Sequence, residues 1–375
     1  MPVFSPRKWI FNFLRIIFFL RQGWTKLRGN ALNLKDVFTE FHEEIWQNAA
    51  DELAVEMVRF SGGFYQIRSE NRSTWIKDYL VEIDHYVTLQ VARNKPLVSK
   101  VLLEHGIPAP PFHAFTLRDI ASAKTFLQQQ NAPCVVKPAL DSAGGTGVTT
   151  HVRTNRDLMR AAIFASAFCP HIMIERQVPG DVYRFLYLDG ELIDAIRRRP
   201  PHVIGDGRST IRELIRAENK RRIEQAGHSS LKVLVIDADC RKTLRRNGLK
   251  LNSIPEKNHA VMVKATTNDS GALECESVFK QVDTELAREG ARAAKALSIR
   301  LAGVDVITRD ISVSLQKSGG KIIEVNAAPG LQYHYQVRNP QDSVPVAVLI
   351  LRRLLDIKND SKGISHELFQ QKQQA

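Results

Sequence analysis

Apolar residues recur at helical spacing in DVFTEFHEEIWQNAADELAVEMVRF (36–60), with Phe38, Phe41, Ile45, Ala49, Leu53 and Met57 on one stripe. This predicts a helix that Gly62-Gly63 ends. FYQI, STWI and YVTLQV, which follow, have the short β-branched and aromatic character of strands. From residue 95 the grammar changes. KPLVSKVLLEHG predicts a short helix with Gly106 as its cap and IPAPP as a stop. LRDIASAKTFLQQQ predicts a second helix. APCVVKPAL and IMIERQV predict buried strands, with the glycine loop DSAGGTGV after the first. YRFLYL and ELIDAI flank Asp189-Gly190, the two-residue signature of a β-hairpin. Residues 283–301 predict an amphipathic helix with Leu286, Gly290, Ala293 and Leu297 on one face. GVDVIT and KIIEVN predict two more strands, and LRRNG (244–248) a solvated turn.

At roughly 100–200 residues per domain, 375 residues imply two or three domains. The expected division is a basic N-terminal segment over 1–35, a small α/β region over 36–94, a main domain over 95–357 and a polar tail over 358–375. An ordinary balance of 43% hydrophobic and 25% charged residues excludes disorder and low complexity for the bulk of the chain. Cys134, Cys169, Cys240 and Cys275 are too widely spaced for a zinc site or a redox pair and suit a reducing compartment. The net charge of +13 matters more for where it sits: residues 1–35 hold seven basic residues and no acid. WIFNFLRIIFFL (9–20) is too short to span a bilayer and lacks a signal-peptide cleavage site. As a helix it would gather Ile10, Phe13, Leu14, Ile17 and Leu20 on one face, with cations elsewhere. Residues 7–28 therefore read as an interfacial membrane contact or as a helix docked on protein.

Chemistry concentrates in three places. Lys137 lies in an apolar strand, where a charge is costly unless it meets an anion, and a loop with Gly144, Gly145 and Gly147 follows. Glycines let backbone N–H groups close on phosphate oxygens. The loop is neither a Walker A motif nor a dinucleotide fingerprint. In KIIEVN, Glu324 and Asn326 share a strand face, with Ile323 and Val325 expected in the core. If GVDVIT pairs antiparallel with this strand about residue 315, Asp305 falls opposite Glu324 and Asn326. Such an oxygen set suits Mg²⁺ and phosphate.

ARNKPLVSKVLLEHGIPAP, VVKPALDSAGGTGV, IERQVPGDVYRFLYLDG, PPHVIGDGRSTIRELI, KATTNDSG, GVDVI and IIEVNAAPG, in that order, resemble the ATP-grasp ligases. The resemblance is to the ATP-grasp half of cyanophycin synthetase and its stand-alone relatives. It implies an α/β (α+β) ATP-grasp fold, with nucleotide held between two mixed-sheet subdomains and a mobile lid over about residues 118–180. It also implies ATP with two Mg²⁺ ions, Mn²⁺ being an alternative, and a carboxylate joined to an amine through an acyl phosphate.

By resemblance, Lys95, Lys137, Ser142, Gly144, Gly145, Gly147, Glu175, Gln177, Val178 and Asp181 bind ATP. Asp305, Glu324 and Asn326 hold the metal. Arg184, with Lys264, faces the transferring phosphoryl group, and Asn268, His334 and Arg338 face substrate. The acceptor region departs from the family's pattern. TTNDSGALECES carries one glycine and a shifted acid, and Gln332 stands where an arginine is usual, so the substrates stay open. The expected partners are a small-molecule carboxylate and amine, without nucleic acid, and a homodimer is left open. The expected location is cytoplasmic, with the inner membrane face as an option. Phosphoryl transfer to another acceptor and a non-catalytic, membrane-attached nucleotide-binding protein are the alternatives.

Overall fold

A computed structural model describes residues 34–141, 145–224, 232–267 and 269–357. The N-terminal segment, Ser142, Gly144, Asn268 and the polar tail, all singled out above, lie outside the described residues. Helix α1 (Leu34–Glu52) opens the description. It stops well short of Met57: Ala54 turns left-handed (φ 52°), and EMVRF becomes strand β1 (Glu56–Phe60). The apolar spacing that continued the helix in sequence there serves an antiparallel ladder with β2 (Phe64–Arg68). Strands β3 (Ser73–Lys77) and β4 (Leu80–Val81) complete a four-stranded meander. Its Tyr65, Ile67 and Ile76 bury against Ile45, Trp46, Ala49 and Ala50 of α1. YVTLQV is not a strand but helix α2 (Tyr86–Ala92). Val91 and Ala92 pack into the core while Tyr86 and Val87 stay exposed, a tertiary override of β-propensity. Helix α3 (Lys95–Glu104) follows, with Gly106 left-handed after it.

Two compact units emerge. One comprises residues 94–96 and 111–177 of the described chain. It contains β5 (Phe112–Phe115), α4 (Ile120–Gln129), β6 (Cys134–Pro138), β7 (Thr149–Val152), α5 (Asn155–Ser166) and β8 (Ile172–Arg176). The sheet order is β5-β8-β6-β7, all antiparallel. Ala123, Leu127, Leu158 and Ala162 of the helices bury against Val136 and Ile174.

The other unit takes in 36–93, 97–110 and 178–357 of the described chain. Strands β9 (Asp181–Leu188) and β10 (Glu191–Arg198) form the expected hairpin, with Asp189 and Gly190 both at positive φ. A satellite holds β11 (His202–Ile204), α6 (Ile211–Glu224), α7 (Ala238–Arg246) and β12 (Ala260–Met262). LRRNG is only in part the expected solvated turn: Leu244–Arg246 end α7 with Leu244 buried in the satellite core, and Asn247-Gly248 form an exposed turn. Strand β13 (Cys275–Ser277), helix α8 (Thr284–Ala296) and strand β14 (Leu301–Thr308) come next. Helix α9 (Leu315–Ser318), strand β15 (Lys321–Ala327), helix α10 (Gln332–Tyr335) and helix α11 (Val346–Leu355) complete the chain.

The central sheet runs β13-β10-β9-β14-β15, each pair antiparallel. One face buries Tyr183, Phe185, Tyr187, Val304 and Val306 under Leu286, Ala293 and Ala294 of α8. The other face is apolar only at one end, where Leu186, Leu188 and Leu301 join the α1 and α11 core. No described helix is long and apolar enough to cross a membrane.

Candidate active site

The polar end of that second face is assembled by register. Ile196, Arg184, Asp305 and Glu324 form one row across β10, β9, β14 and β15. The adjacent row is Asp194, Leu186, Gly303 and Asn326. Alternation puts Arg184, Asp305, Glu324 and Asn326 on one side of the sheet. A bulge follows Asp305, where Val306 pairs with Ile322. The extra residue is Ile323, and Ile322 with Val325, not Ile323, fills the core.

Arg184 and Asp305 are both nearly buried and pair through two hydrogen bonds. Burial alone would lower the Arg184 pKa, but Asp305 more than offsets this and leaves it raised. Asn326 Nδ2 lies 3.4 Å from Asp305 Oδ2 and 3.3 Å from the Gly303 carbonyl. A side chain at Gly303 would meet Pro329 at 2.8 Å and Arg184 Nη1 at 3.0 Å, so glycine keeps this corner open.

Among the described residues, no three His, Cys, Asp or Glu side chains gather as a metal cage. The set here is two carboxylates and an amide, all hard oxygen donors. Arg184 takes one position on each Asp305 oxygen. A carboxylate offers about four lone-pair sites, so donors remain for a divalent cation that also bonds phosphate. The residues fit Mg²⁺.

Residues 94–96 and 111–177 carry a second polar centre. Lys137 is 6% and Glu175 5% exposed, and Lys137 Nζ donates to Glu175 Oε1 at 2.7 Å. Glu175 Oε2 is buried without a protein partner. The Lys95 N–H donates to the Ala139 carbonyl just beyond β6. Gly145 and Gly147 adopt positive φ, and a Cβ at Gly147 would stand 2.7 Å from Pro138 Cγ. The loop thus folds tightly against the lysine strand. Gln177 Oε1 accepts from the His151 N–H at 2.7 Å. Glu175 therefore projects its side chain onto Lys137, a pairing that sequence reasoning did not foresee.

The remaining expected residues are dispersed. Asp181 is exposed and lies 3.6 Å from Arg197, and Val178 follows β8 by two positions. Lys264 is held by Asp237 and Asp269; burial acts to lower its pKa, but the two carboxylates outweigh that and raise it. Arg338 spends its guanidinium on Glu276, which Arg197 and Arg199 also contact. His334 is fully buried, with Nδ1 2.7 Å from Asp194 Oδ2.

Three residues outside the expected set stand out instead. Arg198 ends β10, is 5% exposed, and leaves its Nε buried without a partner. Its Nη2 donates to the Thr267 carbonyl, and its guanidinium stacks 4.3 Å above the Tyr333 ring. Lys232 Nζ lies 5.6 Å from that ring. Burial would raise the Tyr333 pKa, but Arg198, Lys232 and Arg184 together bring it below the ordinary value. The arginine run at 197–199, closing a strand, was the one visible signal of this cationic corner.

No protein-family model matches the chain. Over 259 residues it is 32% identical to the cyanophycin synthetase of Trichormus variabilis, covering 68% of this chain and 28% of that protein. It is 28% identical over 323 residues to the bifunctional glutathione biosynthesis protein of Streptococcus mutans, covering 79% of this chain and 42% of the relative. The chain thus spans less than half the length of these curated relatives. Among solved structures, a bifunctional glutathione synthetase from Pasteurella multocida superposes with a TM-score of 0.56 at 20% identity. That superposition covers 84% of this chain and 43% of the other. Sequence likeness and shared fold converge: the chain belongs to the ATP-grasp superfamily, near the cyanophycin synthetases.

Proposed function

We propose that the protein is an ATP- and Mg²⁺-dependent ligase that joins a carboxylate to an amine through an acyl phosphate, releasing ADP and phosphate. The observation that carries this reading is the row of Arg184, Asp305 and Glu324 with Asn326 beside it. It is a cation next to a hard-oxygen set, the pair of features that phosphoryl transfer to a carboxylate requires. The relatives named above are a cyanophycin synthetase and a glutathione biosynthesis protein, both makers of amide-linked products.

On this reading Lys137 and Lys95 bind the nucleotide phosphates, and the loop with Ser142, Gly144, Gly145 and Gly147 covers them with backbone N–H groups. Glu175, Gln177 and Val178 line the base, and Asp181 meets the ribose. Asp305, Glu324 and Asn326 would hold the metal, which would neutralise charge on the nucleotide phosphates. Two ions would suit this oxygen set and the phosphates together. Arg184 orients Asp305 and faces the transferred group. Arg198, buried without a carboxylate partner, is the better second cation than Lys264, which two acids already neutralise. As the amine attacks the acyl phosphate, the C–N bond forms, phosphate leaves with the C–O electron pair, and Arg198 stabilises the oxyanion. Asn268 and Arg338 remain acceptor-side contacts. Residues of 118–180 act as a lid that excludes water from the acyl phosphate.

The test is ATP-dependent hydroxamate formation from pooled amino acids and peptides with hydroxylamine. Glu324→Ala should abolish it while leaving the fold intact. ADP with a phosphorylated product, in place of ADP with free phosphate and hydroxamate, would establish phosphoryl transfer to another acceptor. Nucleotide binding without turnover of any acid would overturn the ligase reading.

A further inference from the structure

Helix α10 is only four residues long, yet it meets strand β10 at two places. His334 Nδ1 lies 2.7 Å from Asp194 Oδ2, and the Arg198 guanidinium lies 4.3 Å from the centre of the Tyr333 ring. Asp194, Ile196 and Arg198 alternate onto one face of β10, the face on which Ile196 stands beside Arg184 of the neighbouring strand. Asp194 and Arg198 are about 13 Å apart at the ordinary rise of a strand. Consecutive helical residues diverge by about 100°. His334 and Tyr333 therefore straddle Ile196, which packs in one small cluster with Tyr333. The rest of α10 is tied down as well. Ser343 Oγ donates to the His334 carbonyl at 2.7 Å, and the Ala347 N–H donates to the Tyr335 hydroxyl at 2.9 Å.

Packing alone does not account for the contact between Asp194 and His334. Both side chains are fully buried, and Asp194 Oδ1 and His334 Nε2 have no partner. A buried polar atom left unsatisfied costs about 1–3 kcal/mol. Two apolar side chains of similar volume would join helix to strand with a smaller penalty. What the polar pair adds is direction. Its hydrogen bond fixes the rotation of α10 about its own axis, and that rotation aims Tyr333. Arg198 is held by the Thr267 carbonyl and the Tyr333 ring rather than by a carboxylate. The placement of the ring thus decides where the guanidinium points.

We propose that Asp194 and His334 are positioning residues: their contact sets the angle of α10, holds Tyr333 against Arg198, and so keeps that cation aimed at the oxyanion that forms when the amine attacks. The role of Arg198 in this step rests on the ligase reading. The coupling of the buried pair to Tyr333 can be read without turnover.

Asp194→Leu/His334→Leu replaces the pair with apolar side chains and should keep the melting temperature. The first readout needs no catalysis. Burial would raise the Tyr333 pKa, but Arg198, Lys232 and Arg184 bring it below the ordinary 10. The wild type should therefore show a tyrosinate absorbance step below pH 10 that Tyr333→Phe lacks. In the double-leucine variant this step should move up by on the order of one pH unit, as the guanidinium leaves the ring. The second readout is hydroxamate formation from the pooled acids. Its kcat should fall about ten- to hundredfold, with the KM for ATP unchanged. His334→Asn keeps a donor close to the position of Nδ1 and should return both readouts to near wild type. Where the double variant does not fold, His334→Gln, which has no donor at that position, carries the same expectations. A Tyr333 step that is absent from the wild type, or unmoved in the folded variant, would overturn the proposal. So would a moved step with hydroxamate formation unchanged. A wild type that forms no hydroxamate would remove the ligase reading instead, and the Tyr333 step would still decide whether the buried pair positions the ring.

Discussion

Arg184 and Asp305 face each other on neighbouring strands with the guanidinium Nε at 2.5 Å and Nη2 at 2.9 Å from the two carboxylate oxygens. Both side chains are about 10% exposed, so neither charge can be removed without stranding the other. Asp305→Asn should cost about 3–5 kcal/mol of stability, read by urea denaturation. Arg184→Met/Asp305→Leu should recover most of that loss, because a well-packed apolar pair can replace a buried ion pair. It should nonetheless remain inactive. Activity in the stable double variant would show that the pair serves the fold alone.

Lys137 and Glu175 present the same problem in the other unit. Their contact at 2.7 Å leaves Glu175 Oε2 buried and without a protein partner. Lys137→Met would strand the carboxylate and should both destabilise this unit and weaken ATP binding, by about tenfold or more. Glu175→Gln is the informative companion. It keeps an acceptor for the lysine but removes its counter-charge, so it should cost about 3–5 kcal/mol of stability, as Asp305→Asn does. If Glu175 only holds Lys137 in place, nucleotide affinity measured by calorimetry will stay near wild type in this variant. If Glu175 itself meets the nucleotide, the affinity of the folded variant will shift whatever the loss of stability.

The antiparallel pairing of Asp305 with Glu324 could be worked out from sequence because each carboxylate interrupts an otherwise apolar strand. Two such interruptions about a common centre define a register. The bulge at Ile323 left no such mark, since the two consecutive isoleucines Ile322 and Ile323 read the same with or without it. EMVRF and YVTLQV were misassigned for opposite reasons. In the first, helical spacing ran on past a left-handed Ala54; in the second, β-branched residues lie on a helix that tertiary packing stabilises. The Arg198–Tyr333–Lys232 corner showed in sequence only as the arginine run at 197–199, because its members come from three distant segments. Only the fold brings them together, and no local pattern encodes a cation stacked on a ring. Glu175 and Lys137 were each assigned to the nucleotide, but their pairing escaped notice similarly, because the two residues lie on different strands.

Gly147 tests the loop beside the lysine strand. It has φ of 78°, and a Cβ there would stand 2.7 Å from Pro138 Cγ and 2.8 Å from Phe168 Cδ2. Gly248 has a similar φ of 71° with nothing within 4 Å. Gly248→Ala should therefore cost about 1 kcal/mol from backbone conformation alone. Gly147→Ala adds steric displacement of the strand carrying Lys137 and should cost about 1–3 kcal/mol more. Nucleotide affinity should fall only in Gly147→Ala. Equal affinity in the two variants would separate the loop from nucleotide binding.

His42 supplies a pH dependence whose sign can be derived. It is fully buried in α1, with Nδ1 2.7 Å from the Phe38 carbonyl. Burial, the largest influence, depresses its pKa below the ordinary 6.5, against smaller opposing effects from Phe38, Asp78 and Gln332. The unfolded chain therefore takes up this proton more readily than the folded one. The stability conferred by neutral His42 is fully present above pH 6.5 and declines as pH falls towards the depressed folded value. The slope cannot exceed about 1.4 kcal/mol per pH unit for one proton. His42→Asn keeps a donor for the Phe38 carbonyl but does not titrate. Its denaturation free energy should decline less steeply than that of the wild type on acidification below pH 6.5. Parallel curves for the two proteins would mean that His42 is protonated equally in both states, and the acid sensitivity would then belong to other groups.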